Sequence, residues 1–138
     1  MENLDNDLKM ILKIRKMRVD SLMRIQKKRE MERNQAAQDV DSRQSDLKDT
    51  EVQVREIETE RLGALINGQF VKIDRVEAFS KLQLKGIKQI MDANREIELA
   101  QRHFEESKEV LEDSVKATRA AEKRFIAIEE AVVEISTK

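Results

Sequence analysis

From Phe79 to Ile135 an apolar or small residue recurs in steps of three and four. The run is Phe79, Leu82, Gly86, Ile90, Ala93, Ile97, Ala100, Phe104, Ser107, Leu111, Ser114, Thr118, Ala121, Phe125, Ile128, Val132 and Ile135. A 3,4 spacing places every member on one narrow stripe of an α-helix, and its persistence over six heptads is the mark of a coiled-coil seam. One irregularity interrupts it, a pair of four-residue steps at Leu82, Gly86 and Ile90. A strand has a period of two and cannot use this pattern, so the second half of the chain is predicted to be one helix.

The first half carries a rougher ladder: Leu4, Leu8, Ile11, Arg15, Arg18, Leu22, Ile25, Arg29, Glu32, Ala36, Val40, Arg43, Leu47, Thr50, Val54, Ile57, Arg61 and Leu65. It places an irregularity at Ala36–Val40 and sets several arginines in the seam. Apolar residues are sparse between Gln26 and Thr50, so this stretch is expected to pack weakly, and Ala36→Leu to be neutral or stabilising there. Nothing in the segment breaks a helix. The chain has no Pro and three Gly, where average usage would supply about seven and about ten. About half of it is Ala, Glu, Lys, Leu and Arg.

Between the ladders, Asn67-Gly68 is a helix-stop signal, and Asp74-Arg-Val-Glu77 reads as a capping box for a restart. Two ladders of equal length joined by a short connection fold back on one another. The expected architecture is all-α: one long antiparallel two-helix coiled-coil hairpin over residues 1–138. Its helices span about 4–66 and 75–136, with the turn at about 67–74, and its length is roughly 90 Å at 1.5 Å per residue. The same stop and restart argue for a monomer rather than a continuous helix in a parallel dimer.

Several functions find no residues to carry them. There is no Cys, and the single His103 has Ala100 where the Glu-x-x-His of a carboxylate metal centre in a helical bundle requires Glu, with no second His to complete a pair. No Gly-rich phosphate loop is written, and paired carboxylates such as Glu105 and Glu106 sit on an open helix face. No catalysis, cofactor or metal is expected. No apolar run is long enough to span a membrane, and the acidic opening segment is unlike a secretory leader. Absence of Cys fits a reducing cytoplasm. Residues 8–29 hold nine Lys and Arg against Asp20, whereas residues 96–114 hold seven acids against Arg102 and Lys108. Charge complementarity between the arms of the hairpin is the plainest account. Nucleic-acid binding is not expected, because the net charge is −1 and no aromatics interleave the basic run.

The N-terminal apolar residues do more than fill a seam. Leu8 to Ile25 spread their side chains over an arc of roughly 240° at about 100° per residue, far wider than a two-helix contact consumes. At the C-terminal end Ile126 and Val133 likewise fall off the ladder. In a hairpin these segments share the open end, so that end is expected to carry an interface. Self-association there is one occupant, and docking into another protein is the other.

Three segments carry a resemblance. Leu12-Lys-Ile-Arg15-Lys-Met-Arg18-Val-Asp-Ser-Leu22, Ile73-Asp-Arg-Val-Glu-Ala-Phe79-Ser-Lys-Leu82 and Ala120-Ala-Glu-Lys-Arg-Phe125-Ile-Ala-Ile resemble the stalk proteins of type III secretion and flagellar export, the YscO/FliJ family, with the secretion branch favoured. The resemblance implies a non-enzymatic cytoplasmic stalk whose terminal end enters a hexameric export ATPase and which bridges that ATPase to the membrane export gate. Some members also bind export chaperones. Carried over by position, it implies that Met10, Ile14, Arg15, Met17, Arg18, Ile126 and Val133 face the ATPase. It places Phe79, and with it Gly86 and Ile90, on the gate side.

Overall fold

The computed structural model describes residues 2–67 and 73–137, with the side chains of residues 2, 136 and 137 left aside. It consists of two long helices, α1 (Glu2–Ile66) and α2 (Ile73–Thr137), which pack against each other as an all-α hairpin. α1 closes with the Asn67 N–H donating to the Gly63 carbonyl at 3.0 Å, a last i→i−4 bond. Gly68, the second half of the stop signal, lies outside the described residues. The restart differs from the capping box read in the sequence. Ile73 is already helical, so Asp74 sits in the first turn of α2, where its carboxylate favours the helix dipole rather than capping an end.

The hairpin's contacts divide into two units, Met1–Gln35 with Glu105–Lys138 and Ala36–Phe104. In the first, early residues of α1 meet late residues of α2, and in the second, late residues of α1 meet early residues of α2, the pairing of an antiparallel hairpin. Arg15 and Leu22 line one cleft with Ala117 and Arg124 in the first unit. Val54 lies against Gly86 in the second.

The α2 seam matches the ladder from Phe79 to Val132: every member is buried or half-buried, and only Ile135 is exposed. The α1 seam requires a correction. Leu8, Leu12, Arg15, Val19, Leu22, Gln26, Arg29, Arg33, Ala36 and Val40 turn inward, whereas Ile11, Arg18, Ile25 and Glu32 are exposed. The alternate position of each heptad therefore lies one residue later than the ladder had it, with Val19 8% exposed in place of Arg18. The irregularity expected at Ala36–Val40 disappears with that shift. Half-buried or buried Thr50, Val54 and Glu58 instead form two successive four-residue steps, at the level where α2 makes its own.

Gly86 explains how those two irregular levels fit. A Cβ built there would lie 2.7 Å from Val54 Cγ1 and 3.3 Å from Glu58 Oε1. Successive four-residue steps unwind the supercoil locally and aim a seam residue straight at the partner helix. Only a residue without a side chain fits under Val54.

The core is thin. Among the described residues, Val19, Leu111 and Thr118 are buried in the first unit and Ala36 and Val54 in the second. Ala36 is 1% exposed. A weakly packed site for it is therefore excluded, because no room is left for a larger side chain. Thr118 satisfies its hydroxyl by donating to the Ser114 carbonyl at 2.9 Å, whereas the Ser114 hydroxyl is buried with no hydrogen-bond partner. In the second unit one ion pair, Arg43 to Glu96 at 3.9 Å, crosses between the helices with both side chains about half exposed. A pair so exposed contributes about 0–1 kcal/mol.

Candidate functional site

In the first unit, α1 presents Met10, Ile14 and Met17 on the side away from its seam, spaced four and three apart. Ile14 is 58% and Met17 60% exposed. Spacing of this kind makes a continuous apolar stripe along a helix, here without a partner inside the hairpin. Arg18 stands one turn beyond Ile14 on the same flank, exposed.

Beside that stripe the two helices form a shallow cleft of about 190 Å³, lined by Arg15, Arg18, Leu22, Ala117, Ala120, Ala121 and Arg124. Leu22 and the alanines give it a low apolar floor, because a methyl side chain leaves the groove open above it. Three guanidinium groups border it, and no carboxylate lines it. The basic run of α1 thus meets Arg124 here instead of the acidic stretch of α2, and the expected complementarity between the arms does not operate at this level. Arginines presented this way supply rigid donor forks for carboxylates or phosphates of a binding partner.

Ile126 and Val133 are exposed and share one row of α2, seven residues apart. They lie about 100° to one side of Phe125, and Arg124 lies about 100° to the other. The seven residues expected at the open end therefore do not share one surface: Met10, Ile14 and Met17 lie on the outer side of α1, Arg15 and Arg18 line the cleft, and Ile126 and Val133 lie on the flank of α2 away from it. Arg124 and its alanine floor escaped the sequence reading. Arg124 falls next to Phe125 and signals nothing until the register of the two helices sets it beside Arg15.

The positions expected to face an export gate lie in the second unit. Phe79 is half-buried and lines a recess of about 480 Å³ with Arg61, Leu65, Arg75 and Leu82. Gly86 is buried against Val54, and Ile90 is half-buried in the seam, so neither presents an outward surface.

Among the described residues no group of His, Asp or Glu is placed to hold a metal ion, and no helix is long and apolar enough to cross a membrane. The chain exposes 11385 Å² at 16.1 kDa, against about 7,400 Å² for a compact monomeric protein of that mass. No protein-family model matches the chain, and no curated protein or solved structure is significantly similar to it.

Proposed function

We propose that this protein is a non-enzymatic coupling stalk of a bacterial type III secretion apparatus, acting in the cytoplasm. Its first unit enters the ring of the hexameric export ATPase, and the hairpin links that ring to the export gate, with export chaperones as further partners. The observation that carries the reading is the exposed Met10–Ile14–Met17 stripe beside the cleft of Arg15, Arg18 and Arg124. A ring surrounds its shaft, so residues on different sides, Ile14 and Ile126 among them, all meet its inner wall. Apolar stripes seal against such a wall, and unpaired guanidinium groups find its carboxylates. The resemblance implies an ATPase contact in the same unit, where two of its three segments lie.

The test is ATP turnover by the cognate ATPase with and without this protein. Met17→Ser with Arg18→Glu is expected to abolish stimulation while helicity and melting temperature hold, because both side chains are exposed. Equal stimulation by variant and parent would overturn the assignment. A second reading, a self-associating coiled-coil scaffold, is favoured by the extent of exposed apolar surface. Sedimentation showing a stable dimer that Met17→Ser dissolves, without any effect on the ATPase, would establish it instead.

A further inference from the structure

The outer face of α2 in the second unit carries another apolar ladder, separate from the seam. Ile73, Leu84, Ile87 and Met91 fall within an arc of about 40–60° centred roughly 120° from Gly86, and each is more than half exposed. Leu84, Ile87 and Met91 repeat the 3,4 rhythm of a coiled-coil core, so this face is shaped to receive one more helix. α1 cannot be that helix, because it is already packed on the seam side.

A row of Lys81, Lys88, Arg95 and Arg102 runs alongside at intervals of seven residues. All four are exposed, and none makes an ion pair with a described residue. In a coiled coil this row flanks the core and is where partner charges are read. The same face of a second copy does not supply them. Packed antiparallel on itself, the face would oppose Lys and Arg to Lys and Arg. Packed parallel, it would oppose them to Val76, Gln83 and Ile90, none of them acidic. We propose that this face docks an acidic amphipathic helix of a different protein, its own 3,4 apolar stripe set between Leu84, Ile87 and Met91 and its Glu or Asp side chains along Lys81, Lys88 and Arg95.

Two model peptides test this, each a seven-residue repeat with leucine core positions, one flanked by glutamates and the other by lysines. Fluorescence anisotropy against the full chain should show saturable one-to-one binding of the glutamate peptide. The lysine peptide should bind at least about tenfold more weakly, with the difference narrowing at high salt. Leu84→Ser with Met91→Ser should remove binding at unchanged helicity, and Lys81→Glu with Lys88→Glu should reverse the peptide preference. No binding of either peptide, equal binding of both, or binding indifferent to Leu84→Ser with Met91→Ser would each overturn the proposal. So would a concentration-dependent dimer that the same serine changes dissolve.

Discussion

Ser114 buries a hydroxyl that nothing in its surroundings accepts or donates to, one helical turn from a threonine that satisfies its own. An unsatisfied buried polar group costs about 1–3 kcal/mol, and alanine is also the better helix former. Ser114→Ala is therefore expected to raise stability by about 1 kcal/mol, read as a higher urea midpoint at unchanged slope. Ala36 shows the opposite constraint. At 1% exposure it is the most buried of the core residues, so the methylenes of Ala36→Leu have nowhere to go. The expected loss is about 1–3 kcal/mol by overpacking. A midpoint equal to or above the parent's would show that α1 and α2 separate easily at that level.

The two helices differed in how far their pairing could be read beforehand. In α2 the seam is written in apolar and small residues only, so the ladder from Phe79 to Val132 admits one register. In α1 the stripes compete. Ile11 and Ile25 are apolar yet exposed, while Gln26 and Arg33 are polar yet turned into the seam, and a count of apolar positions follows the isoleucines. What decides is the partner: α2 offers the alanine and serine levels against which long polar side chains can lie with their stems covered. The arginine cleft was illegible for the same reason, since Arg15 and Arg124 meet only once register is fixed. Gly86 gives this pairing its sharpest test. Gly86→Ala gains about 1 kcal/mol of helix propensity. Its Cβ would meet Val54 Cγ1 at 2.7 Å, and a valine in a helix has essentially one rotamer with which to yield. The clash is expected to win, for a net loss of about 1 kcal/mol. With Val54→Ala already in place, the same Gly86→Ala change should instead stabilise, recovering the propensity gain. Additive effects of the two substitutions in thermal melts would contradict the contact, since residues that touch couple.

Two of the exposed apolar stripes among the described residues are Met10, Ile14 and Met17 in the first unit and Leu84, Ile87 and Met91 in the second. Each lies beside cations that make no ion pair with a described residue, and each is exposed, so substitutions there touch little of the hairpin's own packing. Surface changes of this kind usually stay within about 0.5 kcal/mol, and changes that share no partner add independently. The proposed coupling role needs two independent surfaces, because a protein that bridges two partners must hold both at once. The two faces should accordingly be separable by substitution. Met17→Ser with Arg18→Glu is expected to remove stimulation of the export ATPase and leave binding of the glutamate-flanked peptide intact. Leu84→Ser with Met91→Ser is expected to do the reverse, removing peptide binding and leaving stimulation at the parent level. Circular dichroism of both variants sets the baseline, since a loss of helicity would remove both activities through the fold. If each variant keeps its helicity but loses both activities, one surface serves both partners. Loss of neither activity would place the working surface elsewhere on the hairpin.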